Sequence, residues 1–182
     1  MRLFTAIEVP KPIKEKILSK SSELNVPGIS CVSEESLHIT LHFFGEKSET
    51  EKDKIVSLLN NVKWFPFKIN VSGISTFNPK FLRVIFVGIS EGKGKLISLF
   101  EKLSVELENE GISFEKEKYV PHITIARVKH ADKHSLFYFM EKNKDYEFGS
   151  FEMNRFYLIK STLTSNGPLY EKLFEFKRDG AF

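Results

Sequence analysis

Five histidines occur in the 182 residues, and two of them open the same tripeptide, His-Ile-Thr, at His38 in "LHITLHF" and at His122 in "PHITIAR". Side chains alternate between the two faces of an extended strand, so His38 shares a face with Thr40, and His122 with Thr124. The isoleucines between them face the other way, toward a core. Each strand therefore delivers an imidazole and a hydroxyl to one side, about 7 Å apart by the strand rise. Two such strands facing each other make a polar cleft holding two imidazoles and two hydroxyls.

That set suits transfer at phosphorus with one proton removed and another delivered. An unperturbed histidine titrates near about 6.5, so one imidazole acts as base while the other, protonated, acts as acid. The hydroxyls of Thr40 and Thr124 donate to nonbridging phosphoryl oxygens as charge builds there. No carboxylate lies within either motif, so these histidines lack the anionic ligands that phosphoesterase metals commonly use. Threonine fills 7 of the 182 positions. Chance alone therefore puts two His-x-Thr pairs among five histidines in roughly 1 to 2% of chains, before the shared isoleucine is counted. A single pair would carry no weight; the matched pair does.

The elements that must hold these motifs follow from hydrophobic period. Residues 2 to 9 alternate as a strand that Pro10 ends, and residues 11 to 24 suit a surface helix carrying Ile13, Ile17 and Leu24. In "LHITLHFFG", Leu37, Ile39, Leu41 and Phe43 are expected on one face and His38, Thr40 and His42 on the other. Residues 48 to 62 begin with a Ser or Thr cap and early acids, a helix start. Residues 66 to 77 and 81 to 89 are β-branched and aromatic around an "NPK" turn, which predicts a hairpin. Leu96, Leu99, Phe100, Leu103 and Leu107 fall at helical spacing before Gly111. A strand is expected over 119 to 128, a helix over 132 to 144, and strands over 146 to 163 and 169 to 177. This order implies an α+β fold with largely antiparallel sheet. A helix and one His-Ile-Thr strand in each half suggest two related lobes.

Other candidates carry less. His42 reads as a surface histidine, and His130 and His134 as exposed residues near a helix start. Cys31 is the lone cysteine, expected to be an inert, partly buried thiol, and forms no disulfide or CxxC motif. "EGKGK" at 91 to 95 lacks the remainder of a phosphate-loop signature and reads as a turn before a helix. Arg127 follows the second motif, but strict alternation turns it away from His122 and Thr124, so a role at phosphate needs a twist or a bulge. Phe43, Phe44 and Tyr119 flank the motifs and offer stacking surfaces for a base, with core packing as the competing role.

Composition sets the outer bounds. A hydrophobic fraction of 41% and a charged fraction of 28% are ordinary for a water-soluble globular protein, and 18 Phe against one Trp makes phenylalanine the expected core aromatic. A net charge of +3 is compatible with a phosphate-bearing ligand and far from the basic stripe that grips duplex nucleic acid. No apolar run approaches a membrane span and the N-terminus lacks a secretory signal, so a cytoplasmic location with no membrane partner is expected. A monomer is expected because no segment shows an unexplained apolar face.

With "RLFTAIEVP", "LHITLHFFGE", "PHITIARV" and "FEMNRFYLIKSTLTSNGPLYEKLFEF", the chain resembles the two-histidine (2H) phosphoesterase superfamily over nearly its whole length. It is most similar to the archaeal and bacterial RNA 2′,3′-cyclic phosphodiesterases, also called 2′-5′ RNA ligases. The resemblance implies a single bilobal α+β domain over residues 1–182, with mainly antiparallel sheets, helices outside and a central cleft. It implies His38 as proton donor, His122 as proton acceptor, and Thr40, Thr124 and, less firmly, Arg127 at the phosphate. It also implies hydrolysis of RNA 2′,3′-cyclic phosphate ends, or nucleoside cyclic phosphates, to 2′-phosphomonoesters without a cofactor, and reversible 2′-5′ joining. The residues leave other readings open. The same device would serve a small cyclic nucleotide phosphate, an ADP-ribose cyclic phosphate or a 2′-5′ oligonucleotide, and the same cleft would serve a noncatalytic RNA-end or nucleotide-binding module.

Overall fold

A computed structural model describes residues 1–24 and 26–180. Nine strands and four helices are present among them: β1 (Arg2–Glu8), α1 (Lys11–Ser21), β2 (Ile29–Cys31), β3 (His38–Glu46), α2 (Glu49–Asn61), β4 (Phe67–Thr76), β5 (Val84–Ile89), α3 (Lys93–Asn109), β6 (His122–Val128), α4 (Lys133–Lys142), β7 (Glu147–Met153), β8 (Arg155–Thr164) and β9 (Gly167–Lys177). The α+β class expected from the sequence is the one observed.

The strands form two antiparallel sheets, one ordered β3-β1-β8-β9 and the other β2-β6-β5-β4-β7. One His-Ile-Thr strand sits in each sheet, but the sheets are not the two halves of the chain. The first draws on both chain ends, and the second on the middle plus the short β2, which the hydrophobic pattern does not reveal. The apolar run 146 to 163 also divides at Asn154. Its front part, β7, pairs with β4 in one sheet, and its rear part, β8, pairs with β1 in the other.

Local chemistry fixes the helix starts. Ser48 and Glu51 make a reciprocal capping box on α2, and Asp132 accepts from the His134 and Ser135 amides at the start of α4. α1 begins without a side-chain cap, with proline in its first turn, where the missing N–H costs nothing. A continuous buried cluster joins Ile39 and Leu41 of β3 to Ile123 and Ile125 of β6 and takes in Ile17, Ile55, Leu103 and Leu136 from the four helices. The residues interleaved with the motifs are thus what locks the two strands into one core. Phenylalanine contributes as expected through Phe148, Phe156 and Phe176, but Phe65, Phe77 and Phe81 stand exposed. Among the described residues, no helix is long and apolar enough to cross a membrane.

Candidate active site

Both motif strands break step at the same place. Thr40 pairs with Ala6 of β1, but the next rung joins His42 to Thr5, so Leu41 is an extra residue. On β6, Thr124 pairs with Phe86 and the next rung joins Ala126 to Ile85, so Ile125 is extra. A bulge of this kind rotates the strand and inverts the alternation beyond it. Leu41 and His42 are consequently both buried, as are Ile125 and Ala126, and the following residues, Phe43 and Arg127, return to the face of the histidines. His38, Thr40, Phe43, His122, Thr124 and Arg127 all line one cavity of about 570 Å³ between the two sheets. The five residues expected at the phosphate are therefore brought together.

Two expectations from strict alternation are corrected by the bulge in β3. Phe43 lies on the cleft side, 43% exposed, and His42 lies in the core, 1% exposed, not on the surface. The His42 ring stacks on Phe100 at 4.5 Å, with Phe114 edge-on at 4.9 Å. The Ser104 hydroxyl donates to the Phe100 carbonyl at 2.7 Å, so it must accept from His42 Nε2–H at 2.9 Å. The Thr5 hydroxyl accepts from the His42 amide at 3.1 Å and lies 3.5 Å from Nδ1. Burial pushes the His42 pKa down to about 3, keeping the ring neutral.

The two motif histidines sit in matched aromatic settings. His38 lies 5.1 Å from the Phe4 ring and edge-on to Tyr170 at 5.5 Å. His122 is edge-on to Phe77 at 4.8 Å and near Phe86 at 5.4 Å. Burial, and then repulsion from Lys14 and from His122 itself, bring His38 down to about 4, partly offset by the Glu35 carbonyl. Burial and the Arg127 charge also hold His122 below its ordinary value, against a hydrogen bond to the Val120 carbonyl. That carbonyl lies 2.6 Å from Nδ1 and can only accept, so Nδ1 carries the proton and Nε2 keeps the lone pair when the ring is neutral.

One loop ties the strands to each other. On its way from α3 to His122, the chain donates a hydrogen bond from the Glu115 amide to the Phe43 carbonyl at 2.9 Å, and from the Tyr119 hydroxyl to the Thr40 carbonyl at 3.0 Å. Tyr119 is half-buried and stacks on Phe100 at 4.3 Å, and Phe44 is 5% exposed; of the three flanking aromatics only Phe43 lines the cleft. Cys31 also lines the cavity and is exposed, not partly buried; its thiol donates to the Ser21 carbonyl at 3.3 Å, and desolvation pushes its pKa up. A raised thiol pKa agrees with the expected inertness. His130 and His134 are exposed and lie outside the cavity, as expected. Sequence reasoning missed Arg2 and Phe4, which alternation on β1 places on one face, and Tyr170, which only the register of β9 against β8 brings over His38. Among the described residues, no three His, Cys, Asp or Glu side chains gather closely enough to hold a metal ion.

This geometry has relatives. A family model described as the AKAP7 2′5′ RNA ligase-like domain matches residues 8–177. The chain belongs to that family. It is 42% identical over 177 residues to the RNA 2′,3′-cyclic phosphodiesterase of Methanocaldococcus jannaschii, covering 96% of this chain and 99% of that one. It is 38% identical to the Thermotoga maritima protein of the same name, over 99% of this chain and 97% of the other. TT0787 of Thermus thermophilus superposes over the full length of both chains with a TM-score of 0.82 and 26% identity. Escherichia coli LigT in its apo form shares the fold, with a TM-score of 0.80 and 22% identity over 97% of this chain and 96% of that one. Membership bears out the 2H phosphoesterase resemblance drawn from the two motifs.

Proposed function

We propose that the cleft hydrolyses RNA 2′,3′-cyclic phosphate ends to 2′-phosphomonoesters without a metal, His38 acting as proton donor and His122 as proton acceptor. The activity for which the relatives are named supports the substrate class. The single observation that carries the mechanism is the matched pair of bulged His-Ile-Thr strands lining one cavity. His122 Nε2, neutral and free of its Nδ1 partner, takes a proton from water as the water oxygen bonds to phosphorus. The bond from phosphorus to the ribose 3′ oxygen breaks, and His38 supplies the proton which that oxygen needs. Thr40, Thr124 and Arg127 hold the nonbridging oxygens. Phe43 offers its open face to the base.

Because His38 is neutral in the empty cleft at neutral pH, its proton follows the substrate: the phosphate charge, desolvated beside it, raises the imidazole pKa. With the 5′ hydroxyl of a second RNA in place of water, the same displacement breaks the bond from phosphorus to the 3′ oxygen and joins the two RNAs through a 2′-5′ linkage, reversibly. The chain works as a monomeric, cytoplasmic, single bilobal domain. The deciding experiment is turnover of a nucleoside 2′,3′-cyclic phosphate in excess EDTA by wild type, His38→Ala and His122→Ala, with the product isomer identified. Metal-free formation of the 2′-phosphate, lowered at least about 10²-fold in each variant, supports the proposal. Binding without turnover in the wild type would instead favour a recognition module.

A further inference from the structure

Beside the cleft, and continuous with it through Arg127, lies a second groove of about 830 Å³. Lys80, Arg83, Arg127, Lys129, Lys133 and His130 line it, and no carboxylate among the described residues does. None of the five lysines and arginines is in an ion pair among the described residues. Five unpaired cations lining one groove without a carboxylate make a local positive field on a chain whose net charge is only +3.

The bulge at Ile125 sets the line of this groove. Beyond it Arg127 returns to the side of Thr124, and Lys129, in the bend that follows β6, carries the positive charge on into the groove. The floor is fixed backbone: the Val128 amide donates to the Arg83 carbonyl at 2.8 Å, and the Lys129 amide to the Gly28 carbonyl at 2.8 Å. Across from it stands the loop between β4 and β5, whose two ends carry Phe77, edge-on to His122, and Phe81, 68% exposed in the groove. Cations gathered over fixed backbone with an exposed aromatic ring among them are what a single-stranded polynucleotide requires, charge for its phosphates and a flat face for a base.

We infer that this groove carries the single-stranded RNA leading to the cyclic end, with Lys80, Lys129 and Lys133 on successive phosphates and Phe81 under a base. This rests on the reading of the cleft as a cyclic phosphodiesterase. The test compares an octanucleotide ending in a 2′,3′-cyclic phosphate with the corresponding mononucleotide, for wild type, a Lys80→Ala/Lys129→Ala/Lys133→Ala variant and Phe81→Ala. All four side chains are exposed, and thermal melts confirm that each variant is folded. In wild type the octanucleotide has the lower KM, and its advantage falls with salt. The triple variant keeps mononucleotide kcat/KM, loses the octanucleotide advantage, and has a log–log salt slope smaller by about 2, at roughly 0.7 per phosphate contact. Phe81→Ala weakens the octanucleotide without changing the slope. An octanucleotide no better than the mononucleotide, or a slope unchanged in the triple variant, overturns the groove while leaving the cleft's activity intact. A mononucleotide that is not turned over defeats the reading of the cleft instead. Anisotropy with a labelled octanucleotide bearing a 2′-phosphate then reports on the groove independently. Competition by polyglutamate as effective as by RNA of equal charge would mark a general anion surface and also overturn the inference.

Discussion

Phe43 and Arg127 occupy equivalent places on the two motif strands: each is the fifth residue after its histidine, and each reaches the cleft because a bulge two residues earlier inverts the pleat. The scaffold is therefore used twice with different payloads, an aromatic face on one side and a fixed cation on the other. A device repeated down to its irregularity argues that the bulge itself is part of the site, since an unbroken strand would bury both side chains.

The two payloads predict different kinetic losses. Phe43→Ala removes stacking that is made equally in ground and transition states, so KM for nucleoside substrates rises by the equivalent of about 1–3 kcal/mol with kcat little changed. Arg127→Ala removes a charged donor where phosphoryl charge builds and lowers kcat/KM by about 1.5–3 kcal/mol. Thr40→Ala and Thr124→Ala fall in that same range. Steady-state kinetics on one cyclic mononucleotide checks all four, and an Arg127→Ala enzyme with wild-type kcat/KM removes Arg127 from the phosphate.

Both histidines are held below the ordinary histidine range, and this fixes where the pH profile lies. The kcat/KM profile reports the free protein, in which one ring must be charged and the other neutral. With His38 brought to about 4 and His122 also lowered, the bell for kcat/KM centres below about 6.5 and declines through neutrality. The kcat profile reports the complex, where the bound phosphate raises both groups, so it lies at higher pH. Arg127→Ala relieves a repulsion on His122 and moves the corresponding limb upward. A kcat/KM maximum on the alkaline side of about pH 7 contradicts this account.

The sequence made the centre of the site legible because it is written in side chains two residues apart, and strand alternation is a short-range rule. His38, Thr40, His122 and Thr124 needed only that rule and a reason to face each other. Arg127 reaches the site only through a bulge, and alternation alone puts His42 and Phe43 on the wrong faces, since nothing in "ITLHFF" marks Leu41 as the extra residue. Only the register against β1 reveals it. The same limit hid the split of residues 146 to 163 between two sheets: both halves are apolar and β-prone, and the partner strands decide. Tyr170 comes over His38 through the pairing of β1 with β8, between the chain ends, the most distant in sequence and the least visible in it, whereas Phe4 comes there through the nearer pairing of β1 with β3.

Tyr119 acts on the chemistry without touching the cleft. Its hydroxyl donates to the Thr40 carbonyl, and three residues later the same chain segment becomes His122, so this bond sets the spacing of the two motifs. Tyr119→Phe keeps the stacking on Phe100 and removes only that bond, worth about 1 kcal/mol to stability. The expected outcome is a drop in kcat severalfold larger than any rise in KM, with a folded protein by melting. A change confined to melting temperature would reduce Tyr119 to a structural role.

His42 supplies a pH dependence of stability that is separate from catalysis. Its folded pKa of about 3 lies below the value of about 6.5 expected in the unfolded chain. Between those values the unfolded state binds a proton that the folded state does not, so stability is full above about pH 6.5 and is lost as the pH falls toward 3, by up to about 1.4 kcal/mol per pH unit from this group. The groups packed on the ring, Phe44, Phe100, Phe114, Thr5 and Ser104, include no carboxylate to offset the charge. His42→Phe retains the aromatic stack, and Ser104 keeps its bond to the Phe100 carbonyl, so the variant folds and loses this contribution. Urea midpoints measured from about pH 7 down to about pH 4 should decline more gently for the variant than for wild type. Parallel declines would mean that other groups drive the acid unfolding and that His42 is protonated without cost.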